Sequence, residues 1–211
     1  MEPGSTFKTI AMMAALDDGK VNIDDTLRVW KDGWYYHGAT HRDAHPADTV
    51  YTMRQALAVS SNIALARMIT DGYNGSAKKF VNKLKRMGLC DSIDYIIPGA
   101  HQPRINIPKD TVTISRMAYG YSVELSPLQI LTFYNGIAND GRMISPVLVT
   151  EVKDGKTTVE SFETQTIRSS LCSKKTLEDI QASLLDVVWD NDLGTAAMNK
   201  WRQRKAQSDL V

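Results

Sequence analysis

Met1-Glu2-Pro3-Gly4-Ser5-Thr6-Phe7-Lys8 opens the chain, and an apolar run, Thr9-Ile10-Ala11-Met12-Met13-Ala14-Ala15-Leu16, follows at once. Alanine, methionine and leucine are good helix formers, so a helix is predicted from about residue 4 or 5 to residue 17 or 18, with Gly19 as its stop signal. Within it Ser5 and Lys8 stand three positions apart. Residues at that spacing are neighbours on a helix surface, with Cβ atoms roughly 5–6 Å apart, and helical side chains lean toward the N-terminus. Lys8 therefore leans back over Ser5 at the positive end of the helix dipole. An unassisted serine is a poor nucleophile, and an adjacent neutral amine can take its proton. The same residues also fit an N-cap serine with an exposed lysine one turn on, so the pattern needs companions elsewhere in the chain.

The chain has 211 residues, enough for one domain with a sizeable core or a large piece of one. At 43% hydrophobic residues its composition is globular, not disordered. With 25 basic and 24 acidic residues the net charge is +1, which gives no electrostatic reason to expect a nucleic-acid partner. No apolar run approaches the ~18–20 residues that span a bilayer, and the N-terminus does not read as a signal segment. A chain that opens directly on such a motif reads as a piece of a longer protein. Cys90 and Cys172 are too few for a disulfide framework and are expected as free thiols.

Beyond the first helix, residues 20–51 read as irregular with short strand-like pieces, punctuated by Gly33, Gly38 and Pro46. Thr52-Met53-Arg54-Gln55 is a capping-box pattern that should start a helix through Val59. Ser60-Ser61-Asn62 interrupts the pattern, and residues 63–70 restore it. Ser76 should cap a basic helix over 77–87 that ends at Gly88. Residues 89–110 look loop-like, and 111–121 are open between a short helix and a loop. Ser126-Pro127-Leu128-Gln129 starts another helix over 128–138, apolar nearly all round and so expected to be buried. Residues 147–152 and 157–161 flank Asp154-Gly155, a hairpin signal. Ser173 should cap a last helix through Trp189.

Ser-x-x-Lys alone carries little weight. Ser76-Ala77-Lys78-Lys79 fits it too, and reads as a cap followed by a solvated basic face. Ser60-Ser61-Asn62 reads either as a polar break between helices or as a second hydroxyl and an amide facing the same cleft as Ser5. Acyl transfer needs both, a hydroxyl to relay a proton to the leaving amine and an amide to grip substrate. His37, His41 and His45 recur every four residues, but Gly38 and Pro46 argue against a helix there. An aromatic-rich loop is the expectation, with no metal and no cofactor. Asp48, Glu124 and the tail residues Lys200, Arg202, Arg204 and Lys205 read as surface.

The order and spacing of the motifs matter more than any one of them. Glu2-Pro3-Gly4-Ser5-Thr6-Phe7-Lys8 is followed about fifty residues later by Ala56-Leu57-Ala58-Val59-Ser60-Ser61-Asn62, then by Gly120-Tyr121-Ser122-Val123-Glu124-Leu125-Ser126-Pro127-Leu128-Gln129, then by Gly194-Thr195-Ala196. In this the chain resembles, over nearly its whole length, the transpeptidase domain of class B high-molecular-mass penicillin-binding proteins. The resemblance implies an α+β fold of the serine β-lactamase and penicillin-binding-protein type. Residues 1–211 would be a mostly helical part of it, with a small hairpin near 147–161. The strands before the nucleophile helix and most of the central antiparallel sheet would lie outside. The family's Lys-Thr-Gly strand has no counterpart here: Lys156-Thr157-Thr158 lacks the glycine and sits in the hairpin. That strand is expected after residue 211.

The resemblance further implies that Ser5 is the acylated nucleophile and Lys8 its general base. Lys8 must then be neutral, which asks for a shift of ~3 pH units from ~10.4, worth ~4 kcal/mol. Ser60 would pass the proton to the departing D-alanine, Asn62 would bind substrate and steady Lys8, and Ser61 would contact substrate. The Ser5 backbone N–H would form half of an oxyanion hole. The implied partners are a peptidoglycan stem peptide ending in D-Ala-D-Ala, β-lactam antibiotics, and other cell-wall or division proteins. The implied location is the outer face of the bacterial cytoplasmic membrane, with a membrane anchor outside residues 1–211 and a division-type role over an elongation-type one. Two other readings use the same residues: a D,D-carboxypeptidase or β-lactamase-like hydrolase with water as acceptor, and an unreactive truncated or sensor module.

Overall fold

The computed structural model describes residues 1–91, 93, 102–190 and 192–197. Its centre is the first helix. A 3-10 turn over Gly4–Thr6 runs directly into α1, Phe7–Asp17, and residues 7–15 are all buried. A helix that is apolar on every side is stable only when surrounded. Helices α3 (Asn62–Gly72), α4 (Ala77–Arg86) and α7 (Lys174–Trp189) pack around it.

The segment after α1 folds as short antiparallel pairs, as its glycines and prolines suggest. β1 (Thr26–Val29) pairs with β4 (Thr49–Thr52), and β2 (Trp34–Tyr36) with β3 (Ala39–His41). Thr52 ends β4 and caps α2 (Met53–Ala58): its hydroxyl accepts from Gln55 N–H while the Gln55 side chain accepts from Thr52 N–H. α2 lies on α7, and the Arg54 guanidinium pairs with the Asp186 carboxylate across the two. Residues 111–121 contain one short helix, α5 (Val112–Met117). Ser126 and Gln129 form the second capping box, opening α6 (Pro127–Ala138). β5 (Met143–Ile144) pairs with β8 (Thr166–Arg168). The hairpin of β6 (Glu151–Asp154) and β7 (Thr157–Ser161) turns at Gly155 and contains Lys156-Thr157-Thr158. Among the described residues the strands form four separate two-stranded sheets, so the architecture is α+β with a helical core.

Two expectations need correction. α6 is not buried all round. Its inner stripe, Thr132, Phe133, Gly136 and Ile137, faces the core, but Pro127, Leu131, Asn135 and Ala138 recur at helical spacing on an outer stripe, and Leu131 is 63% exposed. Ser76 occupies the N-cap of α4 without a hydroxyl-to-backbone bond there. Lys78 and Lys79 are exposed, as expected of a solvated basic face, while Lys83 of the same helix is buried against Asp17 and Asp18 of the first helix. Cys90 and Cys172 are free thiols. Pro98, Gly99 and the basic tail lie outside the described residues.

Candidate active site

Ser5 lies on the exposed 3-10 turn and Lys8 one turn later, inside α1. The backbone that presents Ser5 is clamped from several directions. Gly4 has a left-handed backbone (φ +59°) and donates its N–H to Gly120 O at 3.2 Å. Leu125 N–H donates to Met1 O, and Ser122 N–H to the Glu2 carboxylate at 2.7 Å. From α6, Tyr134 OH donates to Thr6 O at 2.8 Å, with Thr9 Oγ1 also in reach. The stretch 120–129 thus supports the turn that carries Ser5.

Lys8 is only 1% exposed, yet its amine sits at the end of a path to Ser60. Nζ donates to Ser60 O at 2.5 Å and to Ser60 Oγ at 2.8 Å. An ammonium has three hydrogens, so two are accounted for by one residue. Burial pushes the Lys8 amine down to about 8, partly opposed by the negative charge of Asp43. About one molecule in ten would then carry a neutral Lys8 at pH 7.

The geometry that brings Ser60 to Lys8 is a helix-end motif occupied by an unusual residue. α2 ends at Ala58. Ser60 N–H bonds to Leu57 O at 3.0 Å and Ser61 N–H to Ala56 O at 2.9 Å, the paired 5→2 and 6→1 bonds of a Schellman motif. The left-handed position in that motif is usually glycine. Here it is Ser60, at φ +55°, a conformation that costs an L-residue roughly 1–2 kcal/mol. That backbone presents both the carbonyl and the hydroxyl of Ser60 to Lys8.

Ser61 closes the motif and also caps α3, its hydroxyl accepting from Ala64 N–H at 3.0 Å. The same hydroxyl donates to Asp43 Oδ2 at 2.8 Å, and the residue is 1% exposed. The hydroxyl of Ser61, expected at the substrate, is thus bonded inside the fold. Asn62 donates Nδ2 to Arg42 O at 2.8 Å, and the bonds that steady Lys8 come from Ser60, not from Asn62. The structure thus brings Lys8 and Ser60 into contact, with Ser5 one turn before Lys8 and Asn62 at the start of α3. Gly194 and Thr195 reach the same corner, where Thr195 N–H donates to Ala58 O at 3.0 Å.

Asp43 was invisible to the sequence reading. It lies 18 positions before Ser61, holds the Ser-Ser-Asn turn from a separate strand connection, and sits in no local pattern. Of the three regularly spaced histidines, His41 is buried between Tyr119 OH at Nδ1 (2.7 Å) and Ser115 Oγ at Nε2 (3.0 Å). Ser115 already donates its hydrogen to Val112 O. It must accept from Nε2–H, so Tyr119 OH donates to Nδ1 and both ring nitrogens are used. His37 and His45 are exposed, and no group of potential metal ligands occurs among the described residues.

A serine one turn before a buried, pKa-lowered lysine that is held by a second serine can be compared with known proteins. Residues 1–205 match the model of the penicillin-binding protein transpeptidase domain. The chain is 27% identical over 150 residues to a probable peptidoglycan D,D-transpeptidase, PbpC, of Pseudomonas aeruginosa, covering 68% of this chain and 25% of that protein. It is 26% identical over 199 residues to penicillin-binding protein PbpB of Mycolicibacterium smegmatis, covering 92% and 30%. The chain therefore spans 25–30% of the length of these curated relatives. Its fold matches the TP domain of penicillin-binding protein 3 from Burkholderia pseudomallei with a TM-score of 0.73 at 23% identity, over 92% of this chain and 55% of that one. Motif order, site geometry and a family match over nearly the whole chain agree: this chain belongs to the penicillin-binding-protein transpeptidase family.

Proposed function

We propose that residues 1–211 are the nucleophile-bearing, mostly helical part of a class B peptidoglycan D,D-transpeptidase, whose Lys-Thr-Gly strand and remaining sheet lie elsewhere in the full-length protein. The observation that carries this reading is Lys8: buried, lowered to about 8, one helical turn after Ser5 and 2.8 Å from Ser60 Oγ.

In the proposed reaction, Ser5 Oγ attacks the carbonyl of the penultimate D-alanine of a stem peptide while neutral Lys8 takes the Ser5 proton. The Ser5 N–H lies in the first helical turn, where amides lack intrahelical acceptors, and it donates to the developing oxyanion. The C–N bond to the terminal D-alanine breaks, and the proton passes from Lys8 through Ser60 to the leaving amine. An amine from a second stem peptide then attacks the ester, forming the cross-link and freeing Ser5. Asn62, half-buried at the start of α3, is assigned to substrate binding. A β-lactam would acylate Ser5 by the same first step and stay there.

This reading places the domain on the outer face of the cytoplasmic membrane, with cell-wall or division proteins as neighbours. No helix among the described residues is long and apolar enough to cross a membrane. The test is labelling of the full-length protein with a fluorescent penicillin. A covalent adduct on the peptide containing Ser5, lost in Ser5→Ala, is the expected result. Unchanged labelling in that variant would remove Ser5 from its role.

A further inference from the structure

The Ser60-Ser61-Asn62 turn is held from outside by two consecutive residues that follow β3. Arg42 O accepts from Asn62 Nδ2 at 2.8 Å. The Asp43 carboxylate uses its oxygens separately, Oδ2 accepting from Ser61 Oγ at 2.8 Å and Oδ1 from Ile63 N–H at 2.9 Å. The carboxylate is thus fixed in place at the N-terminus of α3. On the adjoining residue of the same turn, Ser60, sits the ammonium of Lys8. Successive Cα atoms are about 3.8 Å apart, so a fixed negative charge and the amine are gripped by neighbouring residues of one turn.

We propose that Asp43 is a positioning residue for the reaction: it locks the turn that grips Lys8 and, by its charge, controls the protonation of that amine. This rests on Lys8 acting as the base. The field of Asp43 acts against burial, holding the proton on Lys8 more firmly than the apolar surroundings alone would. Other charges of the described residues packed around α1 have partners of their own. Lys83 and Arg86 of α4 pair with Asp17 and Asp18, nine or ten residues along the helix and so roughly 14 Å from Lys8. Asp186 of α7 is engaged with Arg54. Arg116 of α5 acts on His41, and Tyr51 at the end of β4 faces Asp43 itself.

Removing the charge while keeping the shape should therefore free the base. In the full-length protein with Asp43→Asn, two quantities are read against pH: the rate of Ser5 acylation by a fluorescent penicillin, and the carbon-13 shift of the Lys8 ε-carbon, assigned with Lys8→Arg. The Lys8 midpoint should fall by about half a pH unit or more, and acylation on the acid limb should rise about threefold. Slowing by the same factor at every pH, with the Lys8 midpoint unmoved, would make Asp43 a structural clamp alone and overturn the inference. Absence of any label on the wild type would overturn the transpeptidase reading instead, and the Lys8 titration would still judge Asp43. If the Asn variant does not fold, Asp43→Ser is read in the same way. If neither neutral variant folds, the clamp role is sufficient and the inference falls.

Discussion

Gly120 passes so close to Gly4 that a Cβ built on it would lie 2.1 Å from the Gly4 carbonyl oxygen and 2.7 Å from the Gly4 nitrogen. The atoms it would meet are backbone and cannot rotate away. Gly120 also has φ +88°, which an L-residue rarely adopts. Gly120→Ala should therefore cost about 2–4 kcal/mol, from left-handed strain plus displacement of the 3-10 turn. Because the displaced turn carries Ser5, penicillin labelling should fall at least tenfold even where the variant remains folded. Thermal unfolding and labelling of the same sample check both parts.

Ser60 separates strain from chemistry. Ser60→Ala removes the hydroxyl but keeps a Cβ in the left-handed position. Ser60→Gly removes the hydroxyl and the strain together. The Gly variant should be more stable than the Ala variant by about 1 kcal/mol, while under the proposed mechanism both should slow acyl transfer by about 10²–10⁴, since each lacks the hydroxyl assigned to the relay. Denaturant midpoints and acylation kinetics on the two variants read the two effects independently. Equal stability would mean that the left-handed backbone of Ser60 carries no strain.

These two sites mark how far the sequence could be read. The helix starts at Thr52 and Ser126 were legible because a capping box is written in four consecutive residues, and both boxes form. The Asp154-Gly155 hairpin was legible for the same reason. That Lys8 and Ser60 belong to one corner of the fold was legible through the order of their motifs along the chain. The capping bond of Ser61 was not, because a serine that caps and a serine that faces a cleft look identical in sequence. Asp43, Tyr134 and the Gly4–Gly120 approach were hidden because they are contacts between residues 18 to 128 positions apart. The ion pair of Lys83 was hidden for the same reason, since only the packing of α4 on α1 brings its amine to Asp17 at 2.5 Å.

Lys8 couples stability to pH in a direction opposite to that of a salt-bridged lysine. Its amine titrates at about 8 when folded and at 10.5 as a free side chain. Between those values the unfolded chain holds more protons than the folded one, so stability should rise as pH increases from about 8 to about 10.5. Below that window the buried charge costs on the order of 3 kcal/mol. Lys8→Met, which fills similar space without a charge, should raise the unfolding free energy at pH 7 by about 1–3 kcal/mol and abolish acylation. Thermal melts at pH 7 and pH 10 check the sign: the gain of the Met variant over wild type should shrink at the higher pH. A variant less stable than wild type at pH 7 would show that the bonds to Ser60 outweigh the burial of the amine.

At the far end of the same helix, Asp17 ties α1 to two neighbours at once. Its Oδ2 accepts from Lys83 at 2.5 Å, and its Oδ1 accepts from Ser173 N–H at 2.7 Å, at the N-cap of α7. Burial alone would raise the Asp17 carboxyl, but the bond from Lys83 and that from the Ser173 backbone outweigh it and leave it below 3.8. Asp17 therefore contributes stability that is present above pH 3.8 and is lost as pH falls through its lower folded value. Lys83→Met should cost about 1–3 kcal/mol at pH 7, because it strands a half-buried carboxylate. Replacing both partners, Asp17→Asn with Lys83→Met, should cost less than Lys83→Met alone, since the stranded charge is gone. A double-mutant cycle by chemical denaturation at pH 7 measures that difference, and repeating it near pH 3 should shrink the penalty of Lys83→Met as Asp17 takes up a proton.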